Sequence, residues 1–218
     1  MIHTQSATVK EAAPTVQRRT KAAGLSLTRV DILHLGGLTL AAVLLVLTIV
    51  LPYWSITLHA PQYPKGLTID AYVNEMRGDV SEVDGLNHYI GMIRLEEAAK
   101  IERTISRIAI PLIAALAVLS FWVKSRWRWL LALPIVIYPV VFALDLFAWL
   151  YYAGHSLDPG AALSSSIKEF TPTILGTGII GQFSTEASFG IGYYLAVLAA
   201  IIVLAVTIRG RSRDARPS

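Results

Sequence analysis

Residues Leu33–Trp54, LHLGGLTLAAVLLVLTIVLPYW, run almost without interruption through apolar side chains. A hydrocarbon core about 30 Å thick takes roughly 20 residues of helix at about 1.5 Å rise each. The stretch therefore reads as a membrane span. Three more runs follow, Ile108–Val123, Trp129–Tyr152 and Ile191–Ile208. The expectation is an all-α membrane protein with four transmembrane helices, at 31–54, 105–123, 129–152 and 191–208. A small mixed extracytoplasmic loop domain, 55–104, would lie between the first two.

The composition points the same way. The chain is 54% hydrophobic and 16% charged, where a soluble domain carries about 25% charged residues. Its pI near 9.4 would suggest nucleic acid in a soluble protein. Here the cations cluster beside the spans, so they read as topology and headgroup contacts, and no nucleic-acid partner is expected. The absence of cysteine excludes disulfides, zinc-thiolate sites and cysteine-held iron–sulfur clusters.

Lys10, Arg18, Arg19, Lys21 and Arg29 precede the first span. Lys124, Arg126 and Arg128 fall in the short loop 124–128, and Arg209, Arg211, Arg213 and Arg216 follow the fourth span. The positive-inside rule puts these cations in the cytoplasm, with both termini, in a multi-pass protein of the cytoplasmic membrane. Trp122, Trp127 and Trp129 mark the inner interface, and Tyr53, Trp54, Trp149, Tyr151, Tyr152, Tyr193 and Tyr194 the outer one. Residues 1–30 read as a disordered tail and 209–218 as a second cytoplasmic tail.

In the first outer loop, Leu67–Val73 alternates like a short strand, and Ser81 can cap a short helix reaching His88. Arg94–Ser106 has strong helix formers and should run straight into the second span, with Pro111 as a kink. In the second outer loop, 153–190, the segment Ile174–Phe183 is too short to span and reads as interfacial or re-entrant.

Five histidines are present. His59, His88 and His155 fall outside, as does Met92; imidazole and thioether suit copper, and His88 and Met92 stand one helical turn apart. The same histidines also fit an ordinary surface role in hydrogen bonding. Asp145 is the carboxylate inside a span, about 25 Å along the helix from Arg128. It fits either an ion pair with Arg107 or Arg103, or a place in a site. The set Asp70, Glu75, Asp79, Glu82, Asp84, Glu96, Glu97 and Glu102 reads as a solvated face. No Walker A, nucleophile elbow, HExxH or GxGxxG is present, so an independent hydrolase, kinase or dehydrogenase is not expected.

Several stretches stand together: Ala60–Leu67 (APQYPKGL), Gly78-Asp79-Val80, Gly85–Met92 (GLNHYIGM), Asp145–Trp149 and Gly154–Pro159 (GHSLDP). Over roughly Leu51–Phe183 the chain resembles a family of small polytopic bacterial membrane proteins encoded beside nitrous oxide reductase and its maturation genes. The resemblance implies copper-enzyme maturation, or electron supply, outside the cytoplasmic membrane. The matching positions include His88, Met92, Asp145 and His155, whereas His59 stands just before the first matching stretch. The function expected on this basis is a membrane-bound accessory protein that handles copper for a respiratory copper enzyme. His88, Met92 and His155, with His59 as a further candidate, would be ligands; Asp145, Glu96 and Glu97 would orient or charge-balance them. The alternatives are a structural subunit of a membrane complex without a metal of its own, with a membrane or extracytoplasmic protein partner, and an electron-transfer subunit. The last is disfavoured because only His34 lies in a span.

Overall fold

The computed structural model describes residues 29–123, 127–163, 166–180 and 183–214. The readings of the N-terminal tail, of Lys124 and Arg126, and of the last C-terminal residues lie outside that set.

The chain is not an all-α protein with four spans. Its described residues combine five α-helices with a five-stranded antiparallel sheet. Helix α1, Arg29–Leu47, ends in a 3-10 turn at Thr48–Val50. Strands β1 (Trp54–Ala60), β2 (Tyr63–Ala71) and β3 (Met76–Gly78) follow, then α2 (Val80–Ile90), α3 (Lys100–Leu119) and α4 (Trp127–His155). Strands β4 (Gly176–Ile180) and β5 (Phe183–Phe189) lead into α5, Ile191–Asp214.

Among the described residues, three stretches are long and apolar enough to cross a membrane: Asp31–Val50, Trp127–His155 and Ile191–Arg209. The expected second span is the one that fails. Its helix, α3, begins with Lys100, Glu102 and Arg103 and carries Arg107 two turns in, and charge at that density is costly in hydrocarbon. Helix α3 nonetheless packs with α1 and α4. Leu38, Ala41 and Leu45 meet Ile110, Ala114 and Ala117 in one buried core with Ala132, Ile135, Ala196, Ala199 and Val203. The many alanines let the backbones approach closely, the usual solution where lipid supplies no hydrophobic drive. Outward positions stay apolar, with Leu40, Val43, Val140, Leu144, Leu198 and Ile201 exposed. A soluble protein would cover or replace such a belt.

The sheet runs β3-β2-β1-β5-β4. It draws on both of the loops expected outside the membrane, so 55–104 is not a unit by itself. Trp54 stands opposite Ala71 on one side and Phe189 on the other. Period-2 alternation puts Trp54, Ile56 and Leu58 on the face turned to the bundle and Ser55, Thr57 and His59 on the other. Trp54, Ala71 and Ala187 pack there against Leu146 and Leu150 of α4. The segment expected to be interfacial or re-entrant instead supplies β4 and the start of β5.

Helix α2 runs past His88 to Ile90 and is stopped by Gly91, whose φ of 83° needs no Cβ. Arg94–Ala99 does not join α3. It forms turns, pinned by the buried Asp84 carboxylate, which accepts the Leu95 N–H at 2.6 Å and the Glu96 N–H at 3.5 Å.

Candidate functional site: a cavity between sheet and bundle

The bundle-facing side of the sheet does not close fully onto the helices. A cavity of about 770 Å³ remains, bounded by β1, β2 and β5, by α2 and the turns after it, and by the facing parts of α3 and α4. That volume falls within the range of roughly 300–1,000 Å³ typical of small-molecule sites. The walls are overwhelmingly apolar: Ile56, Leu58 and Ile69 from the sheet, Leu86 and Ile90 from α2, and Leu146 from α4. Aromatic rings are prominent, with Trp54, Tyr89, Tyr138, Phe142 and Trp149 all lining it. Ile105 of α3 and Val141 of α4 also line the cavity, yet are 56% and 52% exposed. With Tyr89 of α2, also exposed, they show that the cavity is bordered by surface residues on α2, α3 and α4.

A few polar groups interrupt this surface. Ser106 Oγ is 2.7 Å from the Val73 carbonyl and ties α3 to the chain beyond β2. Arg103 turns its guanidinium to backbone, its Nη2 donating to the Glu96 carbonyl at 2.5 Å. Its Nε is buried and, among the described residues, has no acceptor. Thr185 is 1% exposed and its hydroxyl likewise lacks a partner there. Two carboxylates complete the set, Glu102 from the first turn of α3 and Asp145 from α4.

Asp145 makes no ion pair with Arg107 or Arg103. The ion pairs among the described residues are His59–Glu186 and Arg77–Glu75. Arg107 is exposed and away from the cavity, and Arg103 is occupied with the turn after α2. Asp145 and Glu102 both line the cavity. Glu102 is exposed, as expected of a solvated acidic face, although it also borders the cavity, whereas buried Asp84 does not belong to that face. Asp79 and Asp70 are also engaged, the first accepting the Thr68 N–H at 2.8 Å and the second the Ser55 hydroxyl at 2.5 Å.

The candidate copper ligands are distributed as follows. His88 is exposed at the end of α2, its ring edge-on to Tyr89 at 6.0 Å. Met92 lines the cavity. His155 ends α4, stacked on Tyr151 at 4.0 Å with Nδ1 2.9 Å from the Tyr151 carbonyl. The segments that carry them are joined, because the Gly91 carbonyl accepts the Asp158 N–H and the Tyr89 carbonyl accepts the Leu163 N–H, both at 2.9 Å. His59 is separate, on the opposite face of the sheet from the cavity, with Nε2 3.9 Å from Glu186. Glu96 and Glu97 are exposed on the turns after α2. Among the described residues, no group of three or more His, Cys, Asp or Glu side chains is placed to hold a metal ion.

Sequence reasoning passed over the sheet's contribution to this site. The signal for β5 was present, since Phe183, Thr185, Ala187 and Phe189 alternate with polar residues. Nothing local indicated that Glu102 and Asp145 would share a cavity. No protein-family model matches the chain, and no curated protein matches it.

Proposed function

We propose that this membrane protein binds a lipid-soluble, amphipathic molecule in the cavity between its sheet and its helices. The observation that carries this reading is the apolar space of about 770 Å³, bordered on α3 and α4 by the exposed apolar residues Ile105 and Val141. A ligand dissolved in the bilayer would enter there without crossing water. The sheet would face outward from the cytoplasmic membrane, because Arg29, Arg128 and Arg209 lie at the bundle end away from it. Such a protein is an accessory factor, presenting or withholding its ligand at the outer surface.

The test is native mass spectrometry of the full chain released from a mild, uncharged detergent. A bound species of lipid-like mass is expected. Ala109→Trp, which places an indole in the cavity, should lose that species while still inserting in the membrane. An empty native protein, or undiminished binding by the variant, would reject the proposal.

Copper handling for a respiratory copper enzyme is a second proposal. Its support is the family resemblance together with the hydrogen bonds that bring the segment of His88 and Met92 beside that of His155. Cuprous-ion titration of the wild type and His88→Ala checks it: the variant should lose stoichiometric binding, and unchanged stoichiometry would remove His88 as a ligand.

A further inference from the structure

We propose that α3 holds an acidic phospholipid on its outward flank, with Lys100 and Arg107 on the headgroup and the acyl chains along the apolar stripe beside them. The proposal is independent of the cavity reading above.

The helix itself sets the geometry. Ile101, Ile105, Ile108 and Leu112 recur at the spacing that places side chains on one helical face. All four are exposed, Ile101 and Ile108 at 71% and 74%. Lys100 and Arg107 stand two turns apart, about 10 Å of rise, so they share one line along the helix at the edge of that stripe. Exposed Thr104 lies between them. The stripe continues through Leu119 into the part of α3 that packs with α1 in the apolar bundle. The first two turns therefore stand where the bundle's apolar belt gives way to the sheet, at headgroup depth.

Charge decides among the lipids. Lys100 and Arg107 are exposed, and neither is in an ion pair among the described residues. Glu102 lies about 200° around the helix from Lys100, on the side that borders the cavity. Glu96 and Glu97 precede the helix. An ammonium and a guanidinium beside apolar side chains match a phosphate with its acyl chains, and arginine takes phosphate oxygens as a fork. A zwitterionic headgroup would bring a further cation to two uncompensated ones, whereas an acidic headgroup brings none. An apolar partner helix would cover the stripe and leave both cations unanswered.

The test is lipid titration of the full chain in an uncharged detergent, read by native mass spectrometry. The probes are phosphatidylglycerol and phosphatidylcholine with identical acyl chains. The phosphatidylglycerol adduct is expected at a concentration about tenfold below that for phosphatidylcholine. The double variant K100Q/R107Q should bring phosphatidylglycerol to the level of phosphatidylcholine. Phosphatidylcholine binding and the thermal midpoint should stay unchanged, which shows that the variant is folded. Ala109→Trp, which fills the cavity, should keep the preference. Equal binding of the two lipids, indifference to the double variant, or a preference lost in Ala109→Trp would overturn the assignment to the α3 flank. A dimer that forms in place of the lipid adduct and is lost in the double variant would overturn it too, giving that face to a second copy of the chain.

Discussion

The hydroxyl of Tyr53 meets that of Thr48 at 2.5 Å where the first helix gives way to the sheet. Both side chains are fully buried. Thr48 opens the 3-10 turn after α1, with its Oγ1 2.6 Å from the Leu45 carbonyl. Tyr53 anchors the sheet: its N–H donates to the Ala71 carbonyl and its own carbonyl accepts the Gly190 N–H. Its ring packs on Phe142 of α4 at 4.7 Å. One residue thus links helix, sheet and the entry to α5.

Tyr53→Phe should lower stability by about 1 kcal/mol at neutral pH, because the buried Thr48 hydroxyl loses one of its two hydrogen bonds and keeps that to the Leu45 carbonyl. Burial raises the Tyr53 phenol above its ordinary 10.0. The unfolded chain therefore ionises first, so this residue's contribution is intact below about pH 10 and falls as pH rises further. Thermal unfolding in detergent across that range checks it. The wild type should lose more stability than Tyr53→Phe above about pH 10, and parallel profiles would reject the linkage.

Asp84→Ala should loosen the wall of the cavity formed by the turns after α2. The buried carboxylate holds the N–H groups of Leu95 and Glu96, and stranding buried donors costs about 1–3 kcal/mol. Faster hydrogen exchange at Leu95 and Glu96 is the expected readout, with the bundle core around Ala114 and Ala199 unaffected. Unchanged exchange at the two amides would show that the turns hold without Asp84.

The proposed orientation is checked by labelling, which the absence of cysteine makes clean. Thr177→Cys on the exposed edge strand should react with a membrane-impermeant maleimide added to intact cells. Arg29→Cys should react only after the cells are opened. The reverse pattern would put the sheet in the cytoplasm and the proposed outer-surface role with it.

Gly91→Ala should be destabilised by about 1–2 kcal/mol, since its φ of 83° is left-handed. An added Cβ would also press to 2.7 Å on the Asp158 carbonyl oxygen. A lowered thermal midpoint, with weakened protection of the Asp158 amide, is the measurement; a midpoint equal to wild type would mean that the junction readily relaxes.

Parts of this architecture were visible locally. The alternation of Leu67, Ile69 and Ala71 marked β2, and Pro111 inside a helix was read as such. Strand β1 was missed because its alternating residues directly follow an apolar run, which absorbed Trp54 into the preceding span. Helix α3 was over-read because its second half, Ile108–Leu119, is as apolar as a span while its first half is charged. Arg103 and Arg107 looked like natural partners for Asp145, but their directions on α3 depend on helix rotation and on competing backbone acceptors.

What the sequence determined by itself is the presence of apolar membrane-length helices at Asp31–Val50, Trp127–His155 and Ile191–Arg209. That follows from composition and length, which are local properties, because a span's requirement is to match the bilayer's thickness and polarity. Tertiary structure alone decided the sheet and the cavity. Trp54 pairs with Phe189 across most of the chain, and no local pattern encodes a strand's partner. Glu102 and Asp145 share a cavity because α3 and α4 pack side by side beneath that sheet, and the placement of their carboxylates depends on how the sheet and helices fit together.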